Sequence, residues 1–194
     1  MVFDNLFLFI DTLAVLTVIG DAMVVALLFL LAVETLRRSG PSRVSRFIGR
    51  YGLLLMLIVA VTATSGSLYF SEVMLWKPCR FCWIQRVLMY PQVLLLGLAI
   101  SLRDRGIVRY ILLFSLLGML AAGYHYYEQV MALLFPIAFD PLKPCDASGV
   151  SCRTTEILYY RYLTIPVMAF TAFALNAIGS WIMRREDRRS ITSA

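Results

Sequence analysis

A chain of 194 residues with 60% hydrophobic and only 15% charged side chains, and a mean hydropathy of +0.78, is too apolar for a soluble domain, in which about half the residues are apolar. Its formal net charge of +6 is not a nucleic-acid footprint, because the basic residues sit in short segments between apolar runs. What these numbers leave is a membrane protein of a size that suits one compact helical bundle, with lipid as its surroundings and no nucleic-acid partner.

Five apolar segments are predicted to span as helices, at about residues 9–33, 51–70, 83–102, 107–127 and 163–183. Each holds about 20 residues, enough to cross a ~30 Å hydrocarbon core. The first reads as a retained helix, not a cleaved signal: MVFDNLF carries no positive charge, the apolar run is long, and no small-x-small site follows. It carries Asp11 and Asp21. Asp21 falls near mid-membrane, where a carboxyl is costly, and is expected as a hydrogen-bonded acid packed on the bundle, the alternative being a proton path or a subunit contact. Pro91 is expected to kink the third helix, while Pro166 opens the fifth at little cost. The stretch MALLFPIAF, 131–139, is too short to span. It reads as a surface helix broken at Pro136, or as an extension of the fourth helix. Small residues such as Gly66, Gly118 and Ala172 suit close helix packing. The organisation is an added N-terminal helix (1–36), an Arg-rich loop (37–50), a four-helix core (51–183) with two outer loops (71–82 and 128–162), and a tail (184–194).

Orientation follows from arginine and lysine. Arg37, Arg38, Arg43, Arg46 and Arg50 lie between the first two helices, Arg103, Arg105 and Arg109 between the third and fourth, and Arg184, Arg185, Arg188 and Arg189 after the fifth. These are twelve of the eighteen basic residues; Lys77, Arg80, Arg86, Lys143, Arg153 and Arg161 lie on the other side. The positive-inside rule then places the N-terminus outside and the C-terminus in the cytoplasm.

All four cysteines fall on the outer side, as Cys79 with Cys82 in KPCRFCWIQR and Cys145 with Cys152 in PCDASGVSC. In bacteria that is the compartment where disulfides persist. Three readings stand: redox-active pairs, structural disulfides, or a metal site. A CxxC loop is so short that its closure removes little chain entropy, which disfavours a purely structural role. The C-x6-C spacing is unusual for zinc and no histidine is near either pair in sequence, so no metal is expected. Cys82 stands where the third helix should begin, so helix-end N–H groups would favour its thiolate. Arg86, one turn on and about 6 Å along the axis, would do the same or stabilise a second anion; otherwise it is an interface anchor.

A membrane dithiol needs an electron acceptor. The chain has no haem-attachment CxxCH, no dinucleotide fingerprint and no cysteine on the cytoplasmic side. Elimination leaves a lipid-soluble quinone, ubiquinone or menaquinone. The sole histidine, His125, lies in YHYYEQ at the outer end of the fourth helix, either as a proton donor to such a ring or as a residue of the aromatic belt.

PCRFCWIQR with VLMYP, YHYYEQ, and PCDASGVSC leading to YLTIPVMAF together resemble the DsbB/BdbC family of thiol–quinone oxidoreductases, over about residues 50–183. The resemblance implies a four-helix transmembrane bundle, here with one added N-terminal helix, in the bacterial cytoplasmic membrane. It implies reoxidation of a DsbA-like thioredoxin-fold partner. That partner would attack at Cys145, Cys152 would exchange with Cys79, and Cys82 would face the quinone supported by Arg86, with Gln85 and His125 at the same site. Phe81 stands where the family often has leucine, and Gln85 where enterobacterial members have glutamate. Two other readings are a vitamin-K-epoxide-reductase-like protein, in which CxxC would follow the loop pair and not precede it, and a scaffold with structural disulfides.

Overall fold

The computed structural model describes residues 2–37, 40–140, 142, 144–145, 149–155 and 157–192. Arg38 and Lys143, part of the orientation reading, lie outside the described residues, as does the Arg189 side chain. The helices are α1 (Val2–Leu36), α2 (Arg43–Leu68), α3 (Arg80–Leu102), α4 (Val108–Leu134) and α5 (Ile165–Thr192). A π-helical turn, Tyr69–Val73, continues α2. Every helix contains a stretch long and apolar enough to cross a membrane, so this is a multi-pass, all-α membrane protein.

The helices run beyond the apolar segments because capping, not hydropathy, sets their ends. The Ser42 hydroxyl accepts from the Ser45 N–H at 3.1 Å and starts α2 at Arg43, so most of 37–50 is helix and not loop. α3 starts at Arg80, three residues before the apolar run, because Cys79 caps it. α4 continues to Leu134 and leaves helical geometry at Phe135, the residue before Pro136, where the proline ring disfavours helical backbone. The segment 131–139 is therefore an extension of α4 followed by turns, and not a separate surface helix. Pro91 sits inside α3 without ending it.

α5 is the central helix. The buried share of the most apolar stretch rises from 11% in α1 to 56% in α5. Met56 and Ala60 of α2, Met89 and Leu96 of α3, Ile111 of α4, and Phe173 and Met183 of α5 form the main core. α4 and α5 approach closely at Gly118, against which the fully buried Phe173 ring lies. Between helices, lipid gives no hydrophobic drive, so small residues and hydrogen bonds do more of the joining. The Gln92 side-chain oxygen accepts from Asn176 of α5 at 3.0 Å and Ser115 of α4 at 3.3 Å, tying three helices deep in the bundle.

One end of the bundle is arginine-rich. There Arg105 donates to the Gly49 carbonyl at 2.6 Å and pairs with Asp187 at 3.1 Å. Glu34 accepts from Ser42 N–H and Ser45 hydroxyl at 2.9 and 2.7 Å. The cysteines occupy the opposite end. α1 is fastened along α5: Asp21 accepts from Thr171 at 2.5 Å and from Tyr162 at 3.1 Å. It is thus a hydrogen-bonded acid packed on the bundle. Ile10 of α1 packs with Phe70 and Ile157 at the cysteine end.

Candidate active site

Pro78 leads into Cys79, whose extended backbone makes it the N-cap of α3. The Cys79 sulfur accepts from the Cys82 N–H at 3.4 Å and lies 3.0 Å from the Cys82 sulfur. Both thiols are free, Cys79 buried and Cys82 half-buried. The helix end therefore favours a thiolate on Cys79, one turn earlier than the Cys82 expected from hydropathy. A hydrogen bond from the Cys82 thiol, helped by His125, outweighs burial and pulls the Cys79 thiol down to about 4.

His125, one helix away on α4, is buried at the centre of the site. Its Nδ1 is 3.0 Å from the Gln85 amide nitrogen, and its Nε2 is 3.6 Å from the Cys79 sulfur and 3.1 Å from the Cys152 carbonyl oxygen. The Gln85 amide nitrogen can only donate, so Nδ1 accepts and the ring proton sits on Nε2. That N–H points at a sulfur and a carbonyl, both acceptors. The imidazole is a donor between the two cysteine segments and not a residue of the aromatic belt. The Phe81 ring packs against it at 5.6 Å between centroids.

Arg86 does not reach outward as an anchor. Its Nε donates to the Ser67 hydroxyl and its Nη2 to the Ser67 carbonyl, both at 3.0 Å, and Tyr90 adds a bond to the same hydroxyl at 3.1 Å. Ser67 lies just before the π turn, a kind of helix defect found often at functional sites. The guanidinium also stands over the Trp83 ring at 5.2 Å.

Cys145 and Cys152 are joined as a disulfide with Cα atoms 5.9 Å apart. Cys152 is fully buried and Cys145 half-buried. Residues 151–155 are pinned to α4: Arg153 pairs with Glu128 at 2.7 Å and Gln129 donates to the Thr154 carbonyl at 3.0 Å. Ser67, Glu128, Gln129 and Arg153 were not expected at the site: Ser67 reads as a small packing residue and Arg153 as an orientation charge. Gln129 was findable, since it lies one turn beyond His125 on the same helix face; the Arg153–Glu128 pair joins residues 25 apart and leaves no local signal.

A cavity of about 350 Å³ opens from these groups. Cys79, Cys82, Gln85, Arg86, His125 and Gln129 line its polar end, and α1, α2 and α5 line its apolar remainder. The ligand atoms of Cys79, Cys82 and His125 lie within 4.8 Å of one another, a set that could hold a thiophilic cation in the dithiol state. The arrangement suits thiol–disulfide exchange: a capped, acidified thiol, a neighbouring thiol, and a disulfide segment meeting them at one buried donor.

The comparisons with known proteins agree with this chemistry. The chain is 41% identical over 129 residues to a probable disulfide formation protein C of Halalkalibacterium halodurans, covering 66% of this chain and 90% of the relative. It is 40% identical over 129 residues to disulfide bond formation protein C of Bacillus subtilis, covering 66% and 89%. A probable disulfide formation protein of Deinococcus radiodurans is 37% identical over 142 residues, covering 69% and 89%. No solved structure matches the chain significantly. The family model described as disulfide bond formation protein DsbB matches residues 49–183, which takes in α3, α4 and all four cysteines, most of α2 and most of α5, and so the chain belongs to the DsbB family of disulfide-forming membrane proteins.

Proposed function

We infer that the protein is a thiol–quinone oxidoreductase that reoxidises a soluble thioredoxin-fold dithiol. The observation that carries this reading is the position of His125, within reach of both the Cys79 sulfur and the Cys152 backbone. Two cysteine pairs that converge on one buried donor, at the head of a cavity, form a relay and not two separate staples.

The residues present fit a quinone. Arg86 and the Gln85–His125 pair supply donors for ring carbonyls, and the buried Gln129 side-chain oxygen, an acceptor with no partner among the described residues, suits a quinol hydroxyl. When bound, a quinone would supply a two-electron, two-proton acceptor at this site. The chain's own part is thiol exchange. A partner thiolate attacks the half-buried Cys145 sulfur and frees Cys152. Cys152 attacks Cys79 of a Cys79–Cys82 disulfide and frees Cys82. The partner's second thiol then closes its own disulfide and releases Cys145, which attacks Cys152 and releases Cys79. The Cys145–Cys152 disulfide is thereby restored, and the electron pair rests on Cys79 and Cys82, next to the cavity. His125 steadies the sulfur charge on Cys79, and Arg86 offers a fixed positive charge beside Cys82.

The asymmetry of arginine and lysine supports a cysteine end facing away from the cytoplasm of a bacterial cell, with the N-terminus outside and the C-terminus inside. That compartment holds soluble dithiol partners and the membrane supplies the quinone pool. Oxygen-free mixing of the purified chain with a reduced thioredoxin-fold dithiol and a short-chain quinone tests the function. Loss of quinone absorbance matched one to one by partner disulfide is expected, and disappears in Cys82→Ser. Partner oxidation with no quinone loss would refute the quinone as acceptor.

A further inference from the structure

α1 lies outside the family match, which begins at residue 49, yet it forms part of the cavity. Leu13, Leu16, Thr17 and Gly20 of α1 face the same space as the cysteines and Arg86. The helix is fastened on both sides of that stretch. At the cysteine end Ile10 packs with Phe70 and Ile157, and Phe9 lies on Tyr69 with ring centroids 3.8 Å apart. Deeper in the bundle Asp21 holds Thr171 and Tyr162. Gly20 lets α1 approach α5 so closely that a Cβ there would meet the Thr171 methyl at 2.8 Å.

A helix fastened this firmly would ordinarily fill the space beneath it, since protein interiors are packed to the density of organic crystals. Between Leu13 and Gly20 it leaves an apolar space that is continuous with the polar end of the cavity. Its further walls are Ile58, Val59 and Ala63 of α2 and Met168, Ala172 and Leu175 of α5. The polar end suits a ring with carbonyl oxygens, and the apolar limb suits an unbranched or methyl-branched hydrocarbon attached to that ring. We propose that α1 is a binding wall for the prenyl chain of the quinone, holding it between α1, α2 and α5 while the ring meets Cys82. The assignment rests on the quinone reading above. It gives the added helix a role in choosing and retaining the acceptor, without contact with the reacting sulfurs.

The test uses the full chain in lipid nanodiscs and measures binding, not turnover. Trp76 lines the cavity, so quinones of one ring type, with and without a prenyl chain, are titrated by quenching of tryptophan fluorescence. Thr17→Phe, which fills the limb, should weaken the prenylated quinone by about tenfold and the chain-less quinone by less than about twofold. Equal loss for both, or loss for neither, overturns the proposal. A wild-type chain that binds neither quinone overturns the quinone reading itself, a different result. Because Thr17→Phe could disturb folding, the unaltered chain is also photolabelled with a quinone bearing a diazirine on its prenyl chain. Label within residues 13–20 that excess prenylated quinone removes supports the wall. Label confined to α2 and α5, or α1 label that prenylated quinone fails to displace, overturns it; the latter would mean that lipid acyl chains fill the limb.

Discussion

The Gln85 amide nitrogen lies 3.0 Å from His125 Nδ1, and this contact decides which face of the imidazole carries its proton. An amide N–H that donates to Nδ1 leaves the proton on Nε2, aimed at the Cys79 sulfur and the Cys152 carbonyl. Gln85→Leu removes that bias and should slow quinone turnover by up to about tenfold, on the scale of one lost neutral hydrogen bond. Gln85→Glu should keep activity, because a carboxylate holds the ring by accepting from Nδ1–H while a doubly protonated ring still donates from Nε2. Equal loss in the two variants, read from kcat with KM measured alongside, contradicts the tautomer assignment. His125→Phe should lose at least about a hundredfold, the usual reach of a positioned proton-transfer group; full turnover would remove His125 from the mechanism.

The Cys79 thiol sets the pH response of the reduced chain. Its value falls from an ordinary 9.0 to about 4, first through the Cys82 hydrogen bond. A depressed value means that the thiolate, and the stability it lends the reduced fold, is complete above about 9, declines as pH falls, and is gone below about 4. The thiolate ultraviolet absorbance of the reduced chain should therefore persist at neutral pH and vanish near pH 4. In Cys82→Ala the midpoint should rise, since the main donor is gone. An unmoved midpoint would assign the low value to His125 and the helix end.

Arg153 holds Cys152 in place through Glu128. Arg153→Ala leaves a largely buried carboxylate with the Tyr124 hydroxyl as its remaining donor and should destabilise the chain by about 1–3 kcal/mol. It should also expose Cys152. In a Cys145→Ser background, alkylation of Cys152 should be faster with Arg153→Ala than without it. Equal rates would show that the segment is held by Gln129 and packing.

Asp21 accepts hydrogen bonds from Thr171 and Tyr162, the contacts of a tie between α1 and the bundle. Asp21→Asn retains an acceptor for Thr171 and turns its amide N–H toward the Tyr162 hydroxyl, which can accept. It should leave quinone turnover within about twofold, since two neutral hydrogen bonds replace two slightly stronger ones. A loss of an order of magnitude with assembly intact would restore the proton-path reading.

Gly118 and Gly97 separate close approach from simple flexibility. A Cβ at Gly118 would run into the Phe173 ring, which is enclosed on all sides. Gly118→Ala should cost about 1–3 kcal/mol through overpacking. Gly97 has nothing within 4 Å of such a Cβ, and Gly97→Ala should be neutral or stabilising by up to about 1 kcal/mol. Thermal midpoints of the two variants in detergent check both signs.

The spanning helices were legible because lipid demands long apolar runs, and the cysteine pairs because CxxCWxQR ahead of such a run is a distinctive pattern. Ends were less legible. Ser42 and Cys79 cap α2 and α3 outside the apolar runs, so hydropathy placed Cys82 at the helix start and credited it with the helix-end N–H groups that Cys79 receives. The contacts of Arg86 were hidden for another reason. Its partner Ser67 lies 19 residues away, and a small polar residue in an apolar helix reads as packing until the facing side chain is known. The same distance problem hid Gln92 with Asn176, 84 residues apart. Asp21 was readable as a residue in need of a partner, but not as one whose partners are Thr171 and Tyr162.

The meeting of the two cysteine pairs is tested most directly by trapping. A chain carrying Cys82→Ala and Cys145→Ala keeps only Cys79 and Cys152, whose sulfur and backbone carbonyl, respectively, meet His125. After mild oxidation in nanodiscs, non-reducing peptide mapping should find them joined, and His125→Phe should slow their joining. If Cys79 and Cys152 both remain alkylatable thiols under conditions that oxidise the Cys145–Cys152 pair of the unaltered chain, the pairs do not exchange and the relay is wrong.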